Sequence, residues 1–168
     1  MPYRVAVVLA VSSLVAMSLQ AQGPVQEKPL LRPDFSGTWS FASWTRPAPD
    51  QFRTYMWTPP IKVTQSSTAL ILEYVSGGRN HAPVRLTYSL DGTEGKGVDR
   101  NGPAPYDLLL RAEWQGTRLK LNTIYLRDKY DNIDTSQVLR LDSPVTMTVE
   151  ATWKSGDITR TSASTWRR

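Results

Sequence analysis

The sequence predicts an all-β protein built as a single antiparallel up-and-down barrel of about eight to ten strands. Apolar and polar residues alternate in short segments that are separated by turn residues. After residue 22 no segment has the apolar period of about 3.6 residues that a major helix requires. Short and long connections also alternate along the chain, which is typical of an antiparallel barrel with short turns at one end and long loops at the other. An open β-sandwich is the alternative fold.

The first residues have the composition of an export signal. Arg4 is followed by an apolar run over residues 5–11, and small and polar residues surround Ala21. This order is typical of a secretory signal peptide, and the run is too short to span a membrane. We expect cleavage near Ala21, with cleavage after Ser18 as the alternative. The chain has no cysteine to carry a lipid, so the mature protein is expected to be secreted or periplasmic, without stable membrane insertion.

The net charge of the chain indicates which classes of binding partner are compatible with it. The net charge is +5, and one of these charges belongs to the predicted signal peptide. A basic balance favours anionic surroundings such as phospholipid headgroups or an acidic ligand, but it is also common in exported proteins without such a partner. The basic residues are scattered between strands and form no stripe, which argues against nucleic-acid binding.

The predicted domains are a signal peptide over residues 1–21, a proline-rich mobile arm over 22–33 and the barrel over 34–168. The first strand covers 34–44 and places Phe35, Trp39 and Phe41 on one face. Residues 45–60 are too rich in proline for a strand. We expect them to fold over the barrel mouth, with Trp57 or Tyr55 directed into the interior.

The remaining strands depend on one weak segment. Asp91-Gly92 is a strong hairpin signal, but the return strand over 93–97 has a poor composition. With that strand the count is ten, and the tight turns fall at one end while the long loops fall at the other. This segregation favours ten strands. The other predicted strands are 61–65, 68–75, 84–90, 106–114, 117–126, 134–141, 145–153 and 157–166.

The motif Gly37-Thr38-Trp39 resembles the Gly-x-Trp signature of lipocalins and the wider calycin group. The resemblance implies a barrel whose first-strand tryptophan packs near the closed end under an arginine from the last strand. Arg167, directly after Trp166, is the expected arginine. Trp114 and Trp166 are expected to pack with Trp39 at that end as structural residues. The start Asp-Phe-Ser-Gly-Thr-Trp after a signal peptide also resembles a group of small exported bacterial proteins.

Catalytic and metal-binding residues form no recognisable pattern. The single His81 lies in a Gly-rich loop without a carboxylate close in sequence. The acidic residues of the loop at 127–133 do not have EF-hand spacing, and Arg127 and Lys129 balance them. The sequence therefore predicts no enzyme, no metal and no cofactor.

Aromatic residues near the mouth suggest a ligand cavity, although they could instead complete the core. We predict a non-enzymatic exported barrel that binds a small apolar or amphipathic molecule. A mildly basic mouth would favour an acidic head on that molecule. The alternative is a protein-interaction or cell-envelope structural module with a filled barrel. The candidate ligand-binding residues are Tyr55, Trp57, Tyr74, Tyr106, Tyr125 and Trp153.

Overall fold

Ten antiparallel strands form one sheet in a computed structural model that describes residues 32–47, 57, 59–75, 82–100 and 105–168. The ten-strand count is therefore confirmed, including the weak fifth strand. Within those ranges no helix is long and apolar enough to cross a membrane. The predicted signal peptide, most of the arm, Tyr55 and His81 lie outside the described residues. The strands are β1 (Gly37–Arg46), β2 (Ile61–Gln65), β3 (Ala69–Val75), β4 (Pro83–Ser89), β5 (Gly95–Asp99), β6 (Tyr106–Gln115), β7 (Arg118–Tyr125), β8 (Ile133–Ser143), β9 (Thr146–Ser155) and β10 (Ile158–Arg167).

The sheet closes at one seam and remains partly open at another. Strand β1 pairs with β10, with Ser40 opposite Arg167 and Phe41 opposite Trp166. The order runs from β4 through β1 and β10 to β5, so β4 and β5 are the two edges of the ladder. The inward positions of β5 begin with two glycines, and a Cβ on Gly97 would lie 3.1 Å from the Leu110 side chain. Leucines of β6 thus fill the space beside this short strand, and the barrel is nearly closed.

Strict alternation builds the core. In β3 and β4 every second residue is buried, and the residues between them are exposed or half-buried. Because side chains alternate across a strand, one face of each strand points into the barrel and the other faces solvent. Burial of these inward apolar side chains stabilises the fold by about 1.5–3 kcal/mol for each large residue.

The turn after β4 shows how a local carboxylate stabilises a tight turn. Asp91 Oδ1 accepts hydrogen bonds from the Thr93 amide at 2.8 Å and from the Ser89 hydroxyl at 2.7 Å. These bonds hold the pKa of Asp91 at about 2, below its ordinary value. Gly92 has a φ of 85°, which a glycine adopts without steric cost. The predicted Asp-Gly turn therefore connects β4 to β5.

The closed end is organised around Trp39. Its indole nitrogen donates to the Phe35 carbonyl at 2.9 Å, and the ring is fully buried. The Arg168 guanidinium lies 5.0 Å from the ring centroid. Arg168 also donates to the Pro144 carbonyl at 2.6 Å and to the Ser36 carbonyl. The last residue of the chain thus joins the start of β1 to the turn before β9.

The expectation that Arg167 covers Trp39 is wrong, because the cation is Arg168. Trp166 points into the barrel, so the next residue along β10 must point outward, and Arg167 is exposed. Gly37 makes room for Arg168, since a Cβ at this position would lie 2.9 Å from Arg168 Cδ. Gly37 also has a φ of 141°, which side-chain-bearing residues rarely adopt.

Strand β2 is short and pairs with only part of β1. It begins at Ile61 opposite Trp39, so it pairs only with the first part of β1. The remainder of β1, from Ser40 to Arg46, pairs with β10. Trp57 is buried, and its ring centroid lies 6.2 Å from that of Trp166. The lid over residues 45–60 was expected to insert Trp57 or Tyr55. Trp57 is buried as expected, but residues 48–56 and 58 lie outside the described part.

Candidate functional site

The interior of the barrel has one apolar side and one polar side. The apolar side comes from β2, β3, β4 and β6, whose inward residues are mainly leucine, valine and isoleucine. The polar side comes from β7, β8 and β10. The buried polar residues of these three strands are Thr123, Thr135, Gln137, Ser162 and Ser164. An amphipathic interior of this kind can solvate an apolar body and hydrogen-bond to a polar group at the same time.

Three of these polar residues form hydrogen bonds with other parts of the protein. The Thr123 hydroxyl and the Tyr88 hydroxyl lie 2.7 Å apart, which links β7 to β4 across the interior. The Thr135 hydroxyl donates to the Thr123 carbonyl at 3.2 Å. The Ser164 hydroxyl accepts from the Trp166 indole at 2.9 Å and donates to the Val149 carbonyl at 3.5 Å. Their role in the fold is therefore structural.

Two polar side chains on the same wall have atoms without a partner. Gln137 Oε1 and Ser162 Oγ are buried, and neither has a hydrogen-bond partner in the part of the chain that the structure describes. Gln137 is 5% exposed and Ser162 is 1% exposed. Ala151 lies between them, since it pairs with Gln137 on β8 and with Ser162 on β10. We call Gln137, Ala151 and Ser162 the polar notch.

The polar notch lies about halfway down the barrel, beside the main core. Val149 is the inward neighbour of Ala151 toward the closed end, and Trp153 is its neighbour toward the mouth. Both Ala151 and Trp153 are buried, yet neither belongs to the contiguous apolar cluster that includes Val149. Ala151 contributes only a methyl group to the wall between Gln137 and Ser162. The notch is therefore the candidate site.

The predicted ligand-binding aromatics do not form one group. The rings of Tyr106 and Tyr125 meet edge to face at 6.2 Å, near the mouth. Trp57 packs against Trp166, at a deeper level. Tyr74 is buried beside Asp99, and burial, reinforced by that carboxylate, raises the pKa of Tyr74 above its ordinary value. Trp153 borders the polar notch and is the candidate best placed to contact an occupant there.

The predicted structural tryptophans differ in their burial. Trp39 and Trp166 are buried in the core, whereas Trp114 is half-buried at the rim of the closed end. Trp114 packs against Phe35 at 6.2 Å, and the Arg32 guanidinium lies 5.2 Å from its ring centroid. Gly37 lies two residues before Trp39 in β1 and makes room for Arg168. Arg167 is also a predicted structural residue, but Arg168 makes the contact with Trp39 that is expected of Arg167.

Buried charge is concentrated near the mouth. Among the described residues Asp99, at the end of β5, is the charged side chain buried in the barrel. Within the same residues no three His, Cys, Asp or Glu side chains come together as a metal site. Arg127, one of the basic mouth residues, lies over the exposed Tyr130 ring at 4.5 Å. In the described residues the buried carboxylate of Asp99 therefore lies at the mouth end of the barrel.

Sequence reasoning missed all three residues of the polar notch. The alternation of residues along β8 could have indicated Gln137. The inward positions of this strand are Ile133, Thr135, Gln137 and Leu139. A glutamine on the apolar phase of a strand is a buried polar residue and therefore needs an explanation. The small residues opposite it, on β9 and β10, become visible only through the strand register.

Comparison with known proteins supports the fold. No protein-family model and no curated protein matches the chain. The chain is similar to a crystal structure of an alanine variant of the fluorescent protein UnaG. The TM-score is 0.51 at 15% sequence identity, over 80% of this chain and 95% of that chain. At this identity the likeness shows the fold alone, an antiparallel β-barrel.

Proposed function

We propose that this protein is a non-enzymatic carrier that binds a small apolar or amphipathic molecule inside its barrel, against the polar notch. One observation carries the proposal: Gln137 and Ser162, on either side of Ala151 in a buried wall, have oxygen atoms without a hydrogen-bond partner in the described residues. Recesses lined by apolar and aromatic groups with a few polar atoms are typical of small-molecule sites. The calycin-like fold is consistent with this function.

We propose that a ligand reaches the site between β4 and β5 or beside the short second strand. Strands β4 and β5 are unpaired with each other, and the mouth side of β1 lacks a β2 partner. A ligand can enter a barrel without unfolding it where the wall is not closed by a hydrogen-bond ladder. Trp57, buried against Trp166, occupies part of this region. Its displacement by a ligand would exchange one apolar contact for another.

A direct titration tests the proposal. Purified protein is titrated with the neutral lipophilic dye Nile red, and the bound dye is then displaced by decanol. We expect a saturable increase in dye fluorescence that decanol reverses, since both molecules would compete for the interior. Protein unfolded in denaturant is the control for non-specific binding. If the folded protein gives no saturable and competable signal, the barrel is filled, and the alternative of a protein-interaction or envelope module is favoured.

We also propose that the chain is exported and that residues 1–21 are removed. The support is the sequence pattern of a charged start, a short apolar run and small residues around Ala21. Expression of the full chain in a bacterial host should yield a processed protein outside the cytoplasm. Intact-mass measurement should place its first residue near Gln22. A full-length cytoplasmic product from a host that processes a control signal peptide would contradict this.

A further inference from the structure

We infer that the natural occupant of the barrel presents a neutral hydrogen-bonding group with a donor, such as a hydroxyl or an amide, to Gln137 and Ser162. This inference rests on the proposed function and assigns the chemical class of its ligand. The residues that carry it are the two members of the polar notch whose buried oxygens have no partner in the described protein.

The contrast with neighbouring polar residues makes these two informative. Thr135 precedes Gln137 by one inward position on β8, and its hydroxyl is bonded to a backbone carbonyl. Ser164 follows Ser162 by one inward position on β10, and its hydroxyl is bonded twice. The hydroxyls of Thr135 and Ser164 therefore already have hydrogen-bond partners within the protein. Burial of a polar atom without a partner is costly, so a bound molecule that satisfies Gln137 and Ser162 would gain affinity from both.

The strand register places both side chains where they can contact the same polar group of a ligand. Gln137, Ala151 and Ser162 are directly paired across three neighbouring strands. Neighbouring strands are about 4.8 Å apart, so the two polar residues are separated by roughly 10 Å of wall with only a methyl group between them. A ligand atom seated over Ala151 is flanked by both. Gln137 Oε1 accepts a hydrogen bond, while the Ser162 hydroxyl donates or accepts, so a hydroxyl or an amide matches the pair.

Charge selects against an anionic head at this depth. No lysine or arginine is buried in the described residues, and the charged group that is buried there is the Asp99 carboxylate near the mouth. A carboxylate ligand would lose its hydration without gaining a buried cation from the described part of the wall. The acidic head suggested by the basic mouth loops is therefore not favoured in the interior, and a neutral head is.

A matched ligand series tests this class. Decanol, decanamide, decanoate and the methyl ether of nonanol have similar length and differ in the head group. Displacement of Nile red is measured for each one at mildly alkaline pH, where decanoate is ionised. We expect decanol and decanamide to bind more tightly than the ether, which lacks a donor, by about three- to tenfold for each hydrogen bond gained. Decanoate should bind more weakly than decanol.

Three variants locate the preference. Gln137→Leu and Ser162→Ala should each reduce the preference for decanol over the ether by about three- to tenfold while Nile red still binds. Ser164→Ala is the matched control, because it removes the same hydroxyl one inward position away, where the protein already uses it. It should leave the preference unchanged. Gln137→Leu should also keep or raise the denaturant midpoint, since it removes a buried amide oxygen that has no partner among the described residues.

The outcomes separate the two proposals. If Nile red binds but decanol and the ether bind equally, or decanoate binds best, the assigned ligand class is wrong while the proposed function stands. If Ser164→Ala removes the preference as strongly as Ser162→Ala, or if Gln137→Leu lowers stability, the notch is not the recognition site. If neither Nile red nor any ligand binds to the folded wild-type protein, the proposed function itself fails.

Discussion

Replacement of Trp39 by alanine should lower the free energy of unfolding by about 3–5 kcal/mol, the usual cost of removing a large buried aromatic side chain. The ring is fully buried, and its nitrogen donates to the Phe35 carbonyl. Loss of the ring would leave a cavity next to Ile61, which pairs with Trp39. Chemical denaturation followed by far-UV circular dichroism measures the change.

The matched control is Trp44→Ala in the same strand. Trp44 is half-buried and packs against Phe41 at 5.0 Å, so its removal should cost clearly less than removal of Trp39. Arg168→Ala, combined with Trp39→Ala in a double-mutant cycle, isolates the contact of the guanidinium with the ring. The coupling should lie near the low end of about 0.5–2 kcal/mol, since Arg168 is exposed. Equal losses at Trp39 and Trp44 would show that the closed end is not organised around Trp39.

Replacement of Ala151 by phenylalanine should abolish most ligand binding. The new ring would fill the polar notch and cover the oxygens of Gln137 and Ser162. We expect the affinity for Nile red and for decanol to fall by at least about tenfold, a change of about 1.4 kcal/mol. Overpacking also costs about 1–3 kcal/mol of stability, so folding of the variant is verified by thermal unfolding before binding is measured.

Ala163→Phe is the matched control for this change. Ala163 lies on β10 next to Ser162 and pairs with the exposed Glu150, so it points away from the interior. The same substitution there adds an aromatic ring without filling the notch, and binding should be unchanged. Full affinity in a folded Ala151→Phe variant would place the ligand elsewhere in the barrel. Loss of binding in both variants would show that the effect comes from general destabilisation.

The strand count could be predicted from the sequence because it depends on local patterns, whereas the expected pairing of β4 with its return strand is wrong, since β4 and β5 are the two edges of the sheet. Alternation marked each strand, and the Asp91-Gly92 turn indicated that a return strand must follow, even though the composition of β5 is poor. Connection lengths then placed the tight turns at one end. Each of these signals comes from residues close in sequence, so no knowledge of long-range packing was needed.

The contact at Trp39 shows the limit of such reasoning. The resemblance to calycins implied a C-terminal arginine over the indole, and the register of β1 with β10 brings the C-terminus there. The choice between Arg167 and Arg168 depends on which way each side chain points at the end of a strand. Alternation from the inward Trp166 directs Arg167 outward, and Arg168 alone can turn back over the ring. A shift of one residue therefore exchanges the two roles.

The sequence by itself determined an all-β chain of ten strands with a tight end around Trp39, because hydrophobic alternation and turn chemistry are local properties. Only the tertiary structure decided where a ligand could bind. Gln137, Ala151 and Ser162 are far apart in the chain and ordinary as single residues. They become a candidate site because the pairing of β8, β9 and β10 sets them side by side in a buried wall, where the two polar oxygens have no partner among the described residues. Whether a buried polar atom is satisfied depends on all of its neighbours in space, and sequence alone does not contain that information.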